Sequence, residues 1–400
     1  MLALDFALFG AALSFMSWVT IFPAFLQQLG ASNVQIGLIA VVTSTGFALP
    51  PLFIAPYTER LERKSPFILI WTLWERVPAG VLALLALFVS IRHPTLTLWI
   101  ALLLVSVQTI IGGSLTPAWL DLIARAVHVR SRGRFFGWSS ALAGALGFIG
   151  SLFSQRLLDS LGFPNGYAAC FAIAFVFLMV SYLFLALNRE ILPGARPAVV
   201  VNRQRYSRIL LEVLRSNHDF SVFLATRCLS ALSGAASGFY MVFALAQIPD
   251  AAQNVGLLTS FLLASTTLSN LFWGSLADRV GHKLVLAWGQ ALLLFALLMV
   301  LVSQELWQVA LAFVLLGGGT SALNVSAFNI TLEFAPPESR PTYIGLASFA
   351  SVPFLIAGPL IGGVVADHVG YRPAFGFYAI AGFLALVLLI ALVRDPRAKK

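Results

Sequence analysis

Charge is what this chain has least of. Only 10% of its 400 residues are Asp, Glu, Lys or Arg, where a soluble domain carries about a quarter. A chain this apolar cannot cover itself with a wetted surface, which excludes a soluble globular protein and calls for one that faces lipid. Acid is scarcer than base, 16 residues against 25, for a net charge of +9. In a membrane chain that excess marks where the loops lie and does not point to nucleic acid. Cysteine is nearly absent: Cys170 and Cys228 both fall inside apolar runs, which argues against a disulfide framework or a thiolate metal site. The five histidines, His93, His128, His218, His282 and His368, lie in loops or at loop edges with no partner at catalytic or metal-ligand spacing. A membrane acyl or glycosyl transferase would need such a set. No glycine-rich nucleotide loop is present, which argues against an ATP-driven pump within this chain. No cofactor and no metal is expected. The N-terminus has no basic region or small-residue cleavage site, so the first apolar run is read as a retained helix.

What is abundant is apolar sequence, 59% of the chain, with a mean hydropathy of +0.91. A membrane-spanning helix needs roughly 20 apolar residues. Twelve such runs can be marked: 5–28, 33–56, 67–90, 96–121, 134–157, 166–188, 219–246, 253–276, 284–303, 306–332, 342–366 and 372–393. The expected fold is therefore an all-α membrane protein of twelve transmembrane helices. Loop charge gives its orientation. Most Lys and Arg fall on one side, in the loops around Arg60, Lys64, Arg125, Arg134, Arg279, Lys283 and Arg340, in the segment 189–218 and in the tail 394–400. The other side carries only Arg92, Arg156 and Arg372. By the positive-inside rule both termini are cytoplasmic.

The halves echo each other. Val34-Gln35-Ile36-Gly37-Leu38 resembles Gln253-Asn254-Val255-Gly256-Leu257, and Arg132 to Gly137 parallels Arg340 to Gly345. In the same register Glu59-Arg60 falls on Asp278-Arg279, and Lys64 on Lys283. A six-plus-six repeat of one orientation implies two bundles related by an axis along the membrane normal. The expected domains are a bundle at 1–188, a cytoplasmic linker at 189–218, a second bundle at 219–393 and a basic tail at 394–400. Spacing over 206–215 predicts an amphipathic helix within the linker.

The stretch Gly274-Ser275-Leu276-Ala277-Asp278-Arg279-Val280-Gly281-His282-Lys283 resembles the loop signature of the major facilitator superfamily, roughly G-x-L-A-D-R-x-G-R-K, with His282 in place of the usual Arg. Here Gly274 can admit a neighbouring helix, Gly281 can take a left-handed turn, and Asp278, Arg279 and Lys283 can form an ion-pair lattice. The first-half copy departs from the pattern at Ala55, Glu59 and Glu62, although Glu59-Arg60 and Lys64 keep its charges. The resemblance implies alternating access, with both loops acting as cytoplasmic gates; Asp278 and Glu59 would face the helix N-termini near Arg134 and Pro341. Gly358-Pro359-Leu360-Ile361-Gly362-Gly363 is similar to an antiporter motif of that superfamily, but it lies in run eleven instead of run five, so a close-packed kinked helix is the plainer reading. At the place of an arginine found in run four of proton-coupled drug antiporters stands Gln108.

The same resemblance puts runs one, four, seven and ten around a central cavity. Ser14, Trp18, Gln108, Arg227, Ser233, Tyr240, Asn324 and Asn329 are the expected lining, joined by Ser265, Thr266, Ser269 and Asn270 of run eight. Such walls suit a neutral or weakly charged organic solute, though small polar groups also satisfy one another between helices. Arg227 could hold an anionic substrate or pair with Asp121 or Asp5. Glu75 and Arg76, adjacent in run three, should point apart. Asp5 could lie among the lipid headgroups. Asp121 and Glu333 end runs four and ten near Arg125 and Arg340. These three carboxylates, Asp5, Asp121 and Glu333, are the candidates for proton coupling, since no acid lies at the midplane of a run; facilitated diffusion stays open. The expectation is thus a monomeric secondary transporter of a small organic solute in a bacterial inner membrane, with efflux favoured. The alternatives are an uptake carrier or uncoupled facilitator, and a transporter-like receptor.

Overall fold

The structure, a computed structural model, describes residues 1–127, 132–188, 217–335 and 340–395. Among these residues the regular structure is helical throughout, fifteen α-helices and one 3-10 turn. The first half holds α1 (Leu2–Phe15), α2 (Ile21–Gln28), α3 (Asn33–Ala48), α4 (Pro50–Arg60), α5 (Ser65–Phe88), α6 (Pro94–Ala126), α7 (Arg132–Leu161) and α8 (Asn165–Ala186). The second holds α9 (His218–Gly234), α10 (Ser237–Gln247), α11 (Val255–Val280), α12 (His282–Val302), α13 (Leu306–Phe334), α14 (Arg340–His368) and α15 (Tyr371–Ala391). Ten stretches are long and apolar enough to cross a membrane, and α1 and α3 are shorter apolar helices. The predicted linker helix at 206–215 lies outside the described residues.

Three of the twelve expected runs are broken in two. In the second, Pro50 and Pro51 lack the N–H that a continuous helix needs, and α4 restarts with proline at its first position. In the first, the N–H groups of Thr20 and Phe22 both turn back to the Ser17 carbonyl. In the seventh, Gly234 weakens the helix and the Ala235 and Ala236 N–H groups bond three residues back, tightening one turn before α10 begins. Each break resets the helical phase, which matters for the faces that follow.

Helices α1 to α8 pack mainly among themselves, as do α9 to α15. In lipid no hydrophobic force drives helices together, so dispersion between close surfaces must do so. The aromatic cores show it, in equivalent places. Phe171 of α8 meets Phe25 of α2 edge-on at 5.2 Å, and Phe375 of α15 meets Tyr240 of α10 edge-on at 5.9 Å. The halves meet along two seams, α3 on α14 and α7 on α11. Both ends of the described chain lie on the face that carries the basic loops, Leu2 against Leu122 and Leu185, and Val393 against Phe220 and Tyr343.

Candidate functional site

The two seams are fastened at the face opposite the basic loops, and by the same device. A helix start leaves its first N–H groups without partners inside the helix. At the start of α3, Asp367 at the foot of α14 takes them: its carboxylate accepts from the backbone N–H of Asn33 at 2.8 Å and of Val34 at 3.1 Å, and from Asn33 Nδ2 at 2.9 Å. Ser32 caps the next one, accepting from Gln35 N while Gln35 Oε1 accepts from Ser32 N. Tyr371 adds a hydrogen bond from its hydroxyl to Asn33 Oδ1 at 2.7 Å. On the other seam Gln155 of α7 reaches the start of α11. Its Oε1 accepts from Gly256 N at 2.6 Å and Leu257 N at 3.2 Å, and its Nε2 donates to the Gln253 carbonyl and to Asp159. One latch is thus a carboxylate on a helix start, the other an amide held by a carboxylate.

The two glycines that echoed each other in sequence are where these seams close. A Cβ on Gly37 would lie 2.5 Å from the Pro359 carbonyl oxygen, and one on Gly256 would lie 2.6 Å from the Ser151 carbonyl oxygen. Gly363 likewise meets Asn33 and Val34, and Tyr378 donates to the Gly358 carbonyl at 2.8 Å. The Gly358–Gly363 motif therefore packs α14 against α3, α9 and α15.

Between the seams lies a cavity of about 680 Å³, within the range of small-molecule sites. It runs from Pro23 and Ile36 beside the latched face to Thr331 and Leu389, close to the basic ends of α13 and α15. Of the eight expected lining residues, Trp18, Arg227 and Asn324 line it. The other five face elsewhere. Ser14 bonds to the Ala11 carbonyl, Asn329 to the Val325 carbonyl, and Ser233 packs on Gly382. Tyr240 is buried between Phe313 and Phe375, and Gln108 is buried with neither amide atom partnered among the described residues. Of the run-eight groups, Ser265 bonds to the Val314 carbonyl and Asn270 to Ser321 of the neighbouring helix, and Thr266 bonds back to the Leu262 carbonyl of its own. The polar wall instead includes Thr43, Ser230, Ser348 and Gln290, with Ser230 donating to Gln290 Oε1 at 2.6 Å. The sequence reading passed over Gln290, although it is the one amide inside an otherwise apolar ninth run.

The signature loop of the second half forms the expected turn, with Gly281 at φ 93° between α11 and α12. Asp278 and Arg279 are exposed there. Lys283 donates to the Ile390 carbonyl at 3.2 Å. Among the described residues Gly274 makes no close approach, since a Cβ there would meet none of their atoms within 4 Å. In the first half Arg60 is exposed, and the Glu59 side chain lies outside the described residues. Lys64 is buried, donates to the Thr58 carbonyl and lies 3.7 Å from Asp121. Asp121 also accepts from Arg125 at 2.7 Å, which ties α6 to the loop before α5. Glu333 is half-buried at the basic end of α13.

Asp5 does not lie among headgroups. It is 4% exposed inside the first half, where it accepts from Ser181 at 2.6 Å, Arg76 at 3.2 Å and Trp119 at 3.4 Å. Arg76 also lies 3.9 Å from Glu75 Oε2, so these neighbours in sequence do meet, because the long guanidinium arm swings back. Gly112 makes room for Glu75; a Cβ there would lie 2.6 Å from its Oε1.

Asp367→Asn keeps the size of the latch but leaves one neutral acceptor oxygen for three donors. A charged cap on a helix start contributes about 1–2 kcal/mol. The balance should therefore move several-fold toward opening of the latched face, read as a longer distance between spin labels at Ala31 and Val369. An unchanged distribution would remove the carboxylate from closure.

The Major Facilitator Superfamily model matches the chain over residues 4–249 and 223–400. The multidrug resistance protein MdtG of Salmonella choleraesuis (strain SC-B67) is 32% identical over 149 residues, 36% of this chain and 36% of that protein. MdtG of Enterobacter lignolyticus (strain SCF1) is 33% identical over 150 residues, 36% of this chain and 35% of that protein. The match spans about a third of the length of these curated relatives. Among solved structures, a point mutant of the nucleoside transporter NupG superposes with a TM-score of 0.76 at 14% identity, over 98% of this chain and 99% of that one. A D-xylose-proton symporter superposes with a TM-score of 0.71 at 13% identity, over 100% of this chain and 98% of that one.

Proposed function

This chain belongs to the Major Facilitator Superfamily, and on that premise we propose that it is a secondary transporter that exports a small organic solute across a bacterial inner membrane by alternating access. With that membership the membrane-transferase alternative falls away. The observation that carries the proposal is the cavity enclosed between two equivalent seams, each fastened at the face away from the basic loops. We place twelve crossings in two six-span bundles, 1–188 and 219–393, joined by the linker 189–218 and followed by the tail 394–400. The basic face, with both termini, is cytoplasmic, so the latched face is periplasmic and this state presents its cavity to the cytoplasm. Export agrees with the naming of the MdtG relatives. The carrier acts as a monomer in the bilayer and uses no cofactor. Asp278 and Arg279, with Glu59, Arg60 and Lys64, form the opposite gate, which closes when the periplasmic latches open. Gly274, which meets no described residue closely in this state, then receives a neighbouring helix.

Among the described residues no carboxylate lines the cavity, so we place the coupling proton outside it. The buried Asp5–Arg76–Glu75 cluster has two carboxylates for one guanidinium, and one proton makes it neutral. Asp121 is held by Lys64 and Arg125 in a partly exposed loop contact and suits gating better than coupling.

The test is solute flux in proteoliposomes with and without an imposed pH gradient. Wild-type flux should accelerate with the gradient. Glu75→Gln should keep gradient-free flux and lose most of the acceleration. Wild-type flux indifferent to the gradient would make the protein a uniporter. No flux of any solute by folded protein would overturn transport and leave a ligand-binding receptor.

A further inference from the structure

Arg227 stands out among the residues of the cavity. It is the one charged side chain in the lining among the described residues. It lies nine residues into α9, about 14 Å from the helix start at the rise of an α-helix, well inside the apolar slab. The two carboxylates that the sequence offered as its partners are engaged elsewhere: Asp5 with Arg76, and Asp121 with Arg125 and Lys64. A guanidinium offers five N–H donors. Among the described residues Arg227 uses one of them, toward the Ala327 carbonyl at a long 3.4 Å. A charge withdrawn from water without a countercharge is costly, and in a membrane protein such a group faces a cavity or a partner.

A second observation points the same way. Across the cavity, on the first half, Trp18 lines the wall, its indole Nε1–H buried with no acceptor among the described residues. It lies where α1 gives way to α2, with its ring 5.7 Å from Phe47. Arg227 and Trp18, one on each half, are both donor-only side chains. The remaining wall is largely apolar, with Phe223, Phe328, Leu316 and Leu355 among its residues.

We propose that the cavity binds an amphipathic organic monoanion, its anionic oxygens paired with Arg227 and its apolar or aromatic body laid toward Trp18. A carboxylate matches the forked guanidinium with two parallel hydrogen bonds. One negative charge neutralises the site, whereas a dianion would leave an uncompensated charge in a low-dielectric wall and a cation would add to one. A ligand that spans from Arg227 to Trp18 touches both halves, as a carried solute must. The binding claim does not depend on the transport reading; only the claim that the anion is carried rests on it.

The experiment uses three probes of one shape: 2-naphthylacetate, its amide, and 2-naphthylethylamine. Each is measured by thermal stabilisation of the purified full chain in detergent and by flux into proteoliposomes, with empty vesicles subtracted. The acid should stabilise the wild type most and be carried fastest. Arg227→Gln should weaken the acid about 10-fold or more, as loss of a hydrogen bond to a charged group does, and leave the amide unchanged. Arg227→Lys keeps the charge without the fork and should recover part of the acid's affinity. It also serves as the folding control, with both variants required to elute as the wild type does. Equal or tighter binding of the amide or amine would overturn the anion site and leave transport standing. Arg227-dependent stabilisation by the acid without flux would keep the site and overturn transport. Indifference to all three probes in both measurements would overturn both.

Discussion

Arg76→Met is expected to abolish accumulation of folded protein. Arg76 is 2% exposed and holds together groups from three helices, α1, α5 and α8. Its Nε donates to the Leu178 carbonyl at 2.7 Å, and its Nη2 donates to Ser181 at 2.9 Å and to Asp5 at 3.2 Å, with Glu75 beside it at 3.9 Å. Phe9 and Tyr182 present rings to it at 5.9 and 5.8 Å. Methionine fills much of the volume but leaves two buried carboxylates with no countercharge. Removing one partner of a buried pair costs about 3–5 kcal/mol, a large share of a typical stability of about 5–15 kcal/mol. The yield of monodisperse protein in detergent measures the loss. Adding Asp5→Asn and Glu75→Gln removes the stranded charges and should restore much of that yield. Normal yield from Arg76→Met alone would mean that the cluster contributes little to folding.

Gly37→Val is expected to force the latched face open without unfolding the protein. The new Cβ would lie 2.5 Å from the Pro359 carbonyl oxygen and 3.1 Å from its carbon, both backbone atoms of α14, so no side chain can swing aside. Overpacking of this kind costs about 1–3 kcal/mol. Here the cost falls only on the state in which α3 and α14 touch, which converts to roughly a 5- to 150-fold shift in population. Labels at Ala31 and Val369 should report the longer distance, and flux should fall because the return to the closed seam is slow. Gly376→Ala is the control, since its Cβ would meet nothing within 4 Å. Combining Gly37→Val with Asp367→Asn should give less than the sum of the two effects, because both break one seam. Full additivity, or no shift from Gly37→Val, would mean that the glycine does not set closure.

How much of this was legible beforehand differs by feature. Helix content follows from long apolar runs, and the family loop around Asp278 is contiguous in sequence, so both could be read directly. The match of Gly37 to Gly256 was visible too. What it does was not, because the partners Asp367 and Gln155 lie far along the chain, and only folding brings a carboxylate to a distant helix start. The candidate cavity was legible at Trp18, Arg227 and Asn324. It failed at Ser14, Ser233 and Tyr240 for a specific reason: these residues flank the breaks after Phe15 and Gly234, where the helical phase resets and a midpoint no longer tells which way a side chain faces. The alternatives left open for Arg227 closed once Asp5 and Asp121 were found with other cations. Glu75 and Arg76 were misread because the direction of a helical Cβ does not bound the reach of an arginine.

Arg227 also has an electrical consequence. A carrier that alternates access moves the membrane field across its site, so a charge bound there is at the inner voltage in one state and at the outer voltage in the other. One elementary charge taken through the full field corresponds to about 2.3 kcal/mol per 100 mV. On the proposed orientation, an interior-negative cell holds the empty carrier, with its bare guanidinium, facing inward where cargo is loaded. Once an anion neutralises that charge, this grip is released and the loaded carrier turns without electrical work at this residue. The membrane potential would then drive the return of the empty protein, and the cell would keep export running even where the solute itself is dilute inside.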